Sequence, residues 1–388
     1  MSEMATIRMM VLRNSLLFKY CNTFICEIKF VKYTLKIDNN SSWKKPFKVF
    51  FVSLFLYTLS SNKIVLMKKS IAVIMGGYST EAEISIQSGN VVYEHLDKEK
   101  FEVYRVLISK DKWAYIDENG LNHPINMADF TTTVNGYKIR FDFVFNAIHG
   151  HPGEDGTILA YFDLLGIKYS SAPFYQMAIA FNKRDCLSLL KPYGITSAQS
   201  VYVNKGDDIS LDHVIEKVGL PCFVKPNRAG SSFGITKVYH KSEFSKALEK
   251  AFEEDHEILI EEFLDGIEVS VGVITWKNEI KVLPITEIDT QNDFFDYEAK
   301  YQGQANEITP ARISEIQKKN VSDMAAKIYK SMNLKGLSRA DFIFKGDIPY
   351  FIELNMVPGL AAQSILPKQV KEAGISLSAL FESTIETI

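Results

Sequence analysis

The chain has 388 residues, 46% of them hydrophobic and 23% charged, with a net charge of −3. That length supports two or three domains with real cores, and the composition is that of a soluble globular protein. A mildly acidic balance excludes nucleic acid as the main partner. The four cysteines, Cys21, Cys26, Cys186 and Cys222, form no CxxC and no zinc-spaced Cys/His set. They read as idle thiols in a reducing compartment.

Residues 1–66 differ from the rest. They hold ten Lys and Arg against three acids and no glycine, so the body of the chain carries the acidity. Their most apolar stretch, Phe47–Leu59, contains Lys48 and falls short of the ~20 residues that span a bilayer. It lies too far from Met1 for an ordinary signal peptide. At Met67 the character changes to MKKSIAVIMGG, as at the start of a cytosolic enzyme. We expect 1–66 to be a disordered, dispensable extension or a mis-assigned start; the alternative is an anchor built on 47–59.

From Met67 onward strand-like and helix-like runs alternate, which predicts an α/β architecture. IAVIM (71–75) is a continuous apolar run, as in a strand buried on both faces. GGYSTE follows as a glycine turn, then helical spacing from Glu81 to Leu96. YRVLIS (104–109) and FDFVFNAIHG (141–150) read as strands, the second ending in the loop HGHPGEDGT. ILAYFDLLG closes as a helix, and IKYSSA (167–172) returns as a strand. The unit 67–171 therefore reads as an open doubly wound parallel sheet, with GGYSTE and HGHPGEDG at strand ends where ligands bind.

A second unit, 172–264, carries Lys183 on a helix, then strand, glycine-serine loop and strand over 221–240. A helix over 242–254 and the strand ILIEEFL (258–264) follow. The third unit, 265–388, has strands at 267–275 and 280–287 and a polar stretch at 289–306. A helix at 313–332 precedes the strands carrying Asp341 and Glu353.

No Walker A pattern occurs, and no GxGxxG follows a strand, so the two commonest routes to phosphate binding are missing. The loop Gly230-Ser231-Ser232-Phe233-Gly234 offers backbone N–H groups and two hydroxyls for phosphate oxygens, although plain hairpins look similar. Lys225 and Lys183 would add point charges for a polyphosphate. The strand end IEEFL (260–264) suits an adenine edge through backbone groups near Glu262 and Leu264, with Glu268 for the ribose, but acids at a strand end need mean nothing more. The strongest set is Asp341, Glu353 and Asn355, hard oxygen ligands for Mg²⁺. Arg339 stands two residues before Asp341, and Gly359 could offer a free N–H to an oxyanion.

Taken together and in this order, these residues resemble the D-alanine–D-alanine ligase family. The blocks are GGYSTEAEIS (76–85), AIHGHPGEDGT (147–157), KPNRAGSSFGITKV (225–238), SRADFIF (338–344) and FIELNMVPGL (351–360). FFDYEAKY (294–301) is similar to the family's mobile active-site loop. The resemblance covers Met67 to the C-terminus. It implies an ATP-grasp fold of two α+β subdomains behind the doubly wound domain. It also implies a reaction in which ATP phosphorylates one D-alanine and a second D-alanine attacks the acyl phosphate, for peptidoglycan synthesis. By the same resemblance Glu81 binds the first ammonium, His149 lies near the first substrate, and Ser231 hydrogen-bonds Glu81 and the loop tyrosine Tyr301. Lys300 faces substrate and phosphate. Lys183, Lys225, Ser232, Glu261, Glu262, Leu264 and Glu268 contact the nucleotide. Arg339 and Gly359 serve the tetrahedral oxygen, Ser364 and Ile365 the second substrate. Asp341, Glu353 and Asn355 hold two Mg²⁺ or Mn²⁺ ions. A cytoplasmic homodimer without membrane or nucleic-acid partners is implied. Tyr301 points to D-alanine as acceptor. D-lactate or D-serine, or a non-catalytic nucleotide-binding module, are the alternatives.

Overall fold

The computed structural model describes residues 68–230, 233–290 and 305–387. The extension 1–66, Ser231, Ser232, Lys300 and Tyr301 lie outside the described residues.

Strand β1 (Lys69–Gly76) is the predicted apolar run, buried along nearly its whole length. Helix α1 (Ala82–His95) follows, then β2 (Phe101–Ile108), β3 (Trp113–Ile116), β4 (Asn122–Asn126), β5 (Thr131–Val134) and β6 (Tyr137–Arg140). Next come β7 (Phe143–Asn146), α2 (Thr157–Leu165) and β8 (Lys168–Tyr169). These eight strands make one sheet, ordered β6-β5-β4-β3-β2-β1-β7-β8. Only β2, β1, β7 and β8 run parallel. The expected all-parallel sheet is thus extended by an antiparallel meander over 113–140. Its last turn is Asn135-Gly136, both at positive φ (51° and 81°), the geometry a two-residue hairpin favours.

Helices α3 (Phe174–Phe181) and α4 (Lys183–Leu190) lead into a second sheet. It contains β9 (Ser200–Asn204), β10 (Cys222–Pro226), β11 (Thr236–Val238) and β12 (Glu257–Glu262), ordered β11-β10-β12-β9. Helices α5 (Leu211–Val218) and α6 (Phe244–Glu254) cover it through Val214, Phe244 and Ala251, packed on Val224 and Ile260.

The third sheet holds β13 (Glu268–Trp276), β14 (Glu279–Val282), β15 (Thr286–Thr290), β16 (Ala305–Ile308), β17 (Leu337–Lys345) and β18 (Ile348–Asn355). Its order is β16-β15-β13-β17-β18, with β14 hanging from β13. Helix α7 (Glu315–Ser331) starts at a capping box between Ser314 and Gln317. Helices α8 (Ile365–Glu372) and α9 (Leu377–Glu386) close the chain. Phe381 of α9 stacks edge-on against Phe145 of β7, ring centroids 5.4 Å apart. The last helix therefore shares a core with the first sheet.

Candidate active site

Two cavities meet at one carboxylate. The first, about 120 Å³, is lined by Lys183, Lys225, Glu261, Leu264, Glu268 and Glu353, with Phe223, Ile343 and Ile352 as apolar walls. Lys183 is the first residue of α4, set there because the Asn182 side chain caps that helix. Its Nζ donates to the Ala229 carbonyl at 2.9 Å and lies 3.5 Å from Glu353 Oε2. Lys225 on β10 forms a buried ion pair with Glu261 on β12. Glu262 also lines this cavity, but its N–H is committed to the Gln199 carbonyl (2.9 Å) and its Oε2 accepts the Gln199 N–H (3.2 Å). A base docking at this edge would find that N–H already used.

The second cavity, about 470 Å³, is lined by Glu81, His149, Arg339, Gly359, Ser364 and Ile365, and again by Glu353, now with Asn355. Glu81 stands at the start of α1. A Cβ at Gly230 would come within 2.6 Å of its Oε2, so a larger residue there would have to displace that carboxylate. Ser364 begins α8 without capping it, and its hydroxyl lies beside Gly359. His149 is buried, and burial, reinforced by Arg339, pushes it down to about 4.

Strands β17 and β18 bring the oxygen set together. Asp341 pairs across the ladder with Glu353, and Arg339 with Asn355. Asp341 accepts from Ser270 Oγ (2.6 Å), Asn355 Nδ2 (3.0 Å) and the Arg339 guanidinium (3.1 and 2.9 Å). Arg339, read from the sequence as a donor to a tetrahedral oxygen, here grips Asp341. Among the described residues no three His, Cys, Asp or Glu side chains cluster as metal ligands. Two carboxylates and one carboxamide remain a fitting donor set for Mg²⁺, which keeps several waters and takes the rest of its shell from phosphates.

Residues 70–172 match the family described as the D-ala D-ala ligase N-terminus, and residues 189–386 its C-terminus. The chain belongs to the D-alanine–D-alanine ligase family. It is 58% identical over 318 residues to the D-alanine–D-alanine ligase of Flavobacterium johnsoniae, covering 82% of this chain and 98% of that one. It is 55% identical over 320 residues to the ligase of Christiangramia forsetii, with the same coverage. Among solved structures it is similar to the VanG D-Ala:D-Ser ligase from Enterococcus faecalis (TM-score 0.73, 33% identity, 83% of this chain and 99% of that one). The Bacillus anthracis D-alanine–D-alanine ligase complexed with ATP is also similar (TM-score 0.66, 30% identity, 82% and 97%). The fold is ATP-grasp, and the two antiparallel sheets flank the first cavity.

In this D-alanine–D-alanine ligase family member one buried acid has no role in the sequence reading. Glu154, in the loop HGHPGEDGT, accepts the N–H groups of Met356 (3.1 Å) and Val357 (3.3 Å) through Oε1 and that of Gly150 (3.1 Å) through Oε2. Burial, and then the charge of Glu81, raises it from 4.5 to about 7. The loop itself was a visible signal, but two of the acid's three backbone partners lie about two hundred residues away. The folded form holds this proton more tightly than the unfolded chain does. Its stabilising contribution is therefore complete below the unfolded pKa and lost as pH rises through about 7. Glu154→Gln should flatten the pH dependence of unfolding between about pH 5 and pH 8, by on the order of 2 kcal/mol relative to wild type. Denaturant unfolding at the two pH values checks this, and parallel slopes in both proteins would refute it.

Proposed function

We propose that the protein joins two D-alanines into D-alanyl-D-alanine, using ATP, through a D-alanyl phosphate. The observation that carries this is Glu353, shared by a cleft with two lysines and a polar cavity with Glu81, Arg339 and Gly359. A carboxylate acylates nothing until activated, so the phosphoryl donor and the amino acid must meet at one point. The two cavities supply that point.

In this reading Lys183 and Lys225 hold the polyphosphate, with Ser232 from the neighbouring loop. The 261–264 segment takes the adenine and Glu268 the ribose. Glu81 holds the first ammonium, oriented by Ser231 and Tyr301, and His149 flanks it. Arg339 and the Gly359 N–H receive the tetrahedral oxygen. Ser364 and Ile365 bind the second substrate, and Lys300 approaches substrate and phosphate when 289–306 closes. Asp341, Glu353 and Asn355 would hold two Mg²⁺ or Mn²⁺ ions, which when bound neutralise phosphate charge. The units 67–171, 172–264 and 265–388 then divide the work between first substrate, nucleotide and ligation. No helix among the described residues is long and apolar enough to cross a membrane. A cytoplasmic homodimer that supplies peptidoglycan precursors and needs no residue before Met67 completes the proposal.

The experiment is phosphate release with ATP and Mg²⁺, offering D-alanine, L-alanine, D-serine or D-lactate as acceptor, on the full chain and on a chain begun at Met67. Turnover is expected with D-alanine alone, and equally in both proteins. Preference for D-serine would support the reading that the VanG likeness favours. ATP binding without turnover would overturn both.

A further inference from the structure

Two serines stand three residues apart on α1, on one helix face. Ser85 Oγ accepts the Gly76 N–H (2.8 Å) and donates to the Ala147 carbonyl (2.8 Å), tying α1 to its own sheet. Ser88, fully buried, reaches elsewhere. Its Oγ accepts the Leu360 N–H (3.2 Å) and lies 3.1 Å from His149 Nε2. Among the described residues that nitrogen is the acceptor within reach of the hydroxyl proton. Burial keeps His149 neutral at neutral pH, and a neutral imidazole carries one N–H.

We propose that Ser88 is a positioning residue for the ligase reaction: one buried hydroxyl fixes His149 as the Nδ1–H tautomer and holds the Gly359–Leu360 peptide against the reaction cavity. The inference rests on the function proposed above. The Leu360 N–H and the Gly359 carbonyl share one rigid plane, so the Ser88 bond sets how Gly359 sits in the cavity wall. Glu154 holds the other end of the same loop through Met356 and Val357. Loop 356–360, which follows the oxygen-bearing strand β18, is thereby pinned at both ends to elements of the first sheet. Removing the hydroxyl orphans a buried N–H and leaves the Val357 backbone bond as the remaining hold on the imidazole, so its fixed tautomer loosens.

The test is ¹⁵N NMR of the full-length protein labelled at histidine, with His149→Gln assigning the signal. A pyridine-like Nε2 and a pyrrole-like Nδ1 are expected in the wild type. Ser88→Ala should lose that fixed pattern. It should also lower kcat about 10- to 100-fold, because sub-ångström placement is what the loop supplies. Its KM for ATP should stay within about twofold, since the nucleotide cleft is a separate cavity. A pyrrole-like Nε2 in the wild type overturns the proposal, and so does a Ser88→Ala enzyme that keeps both ring pattern and kcat. If the variant fails to fold, the wild-type spectrum still decides the tautomer. Absence of D-alanine-dependent turnover in the wild type would instead remove the ligase reading, while the ring pattern stands or falls by itself.

Discussion

Glu353→Gln should lower D-alanine-dependent phosphate release by about 10²–10³-fold or more while leaving the fold intact. The two halves of that expectation have different causes. Glu353 is the shared wall of both cavities, so in the proposed reaction its charge acts where phosphate and amino acid meet. Glutamine keeps its size and one oxygen but removes the negative charge that a divalent cation and Lys183 both require. Stability should change by about 1 kcal/mol or less, because the Glu353 side chain is a quarter exposed and its ion pair with Lys183 spans 3.5 Å. Steady-state kinetics beside thermal unfolding separates the two effects. Near-normal turnover would remove Glu353 from the chemistry, and a lost fold would mean that the carboxylate is structural.

Parts of this arrangement were legible in the chain because their signals are local. The run IAVIM became β1 because a strand buried on both faces needs uninterrupted apolar residues. Glu353 and Asn355 share one face because strand side chains alternate, and the antiparallel partner then places Asp341 opposite Glu353. Other boundaries moved for reasons no spacing encodes. The strand predicted over 141–150 ends at Asn146. There the Asn146 side chain accepts the Ile148 N–H and donates to Gly153 and Ser171, which turns the chain out of the sheet.

The meander over 113–140 was missed although Asn135-Gly136 is a hairpin signal, since strands such as YKIR and TTTV are too polar to read as buried. The roles of Glu154 and Ser88 were invisible for another reason. Both act on backbone N–H groups at 356–360, and a contact with a main-chain group leaves no mark on the partner's residue type. The same holds for Arg339, whose place was read from the motif while its grip on Asp341 appears only once β17 and Ser270 are in register.

Lys225→Met should cost about 3–5 kcal/mol of stability and abolish measurable ATP binding. Lys225 and Glu261 are both nearly inaccessible to solvent and paired with each other. Methionine fills the space of the lysine stem but leaves the Glu261 carboxylate charged, buried and without its cation, which is the expensive way to break such a pair. The double variant Lys225→Met with Glu261→Gln removes the stranded charge and should recover most of the lost stability. It should not recover ATP binding, because the polyphosphate then keeps Lys183 alone of its two ammonium partners. Denaturant unfolding and calorimetric titration with ATP therefore move together in the single variant and separate in the double one. ATP binding that returned with stability would show that Lys225 only supports β10 and β12, and that Lys183 with the 225–238 loop holds the phosphates without it.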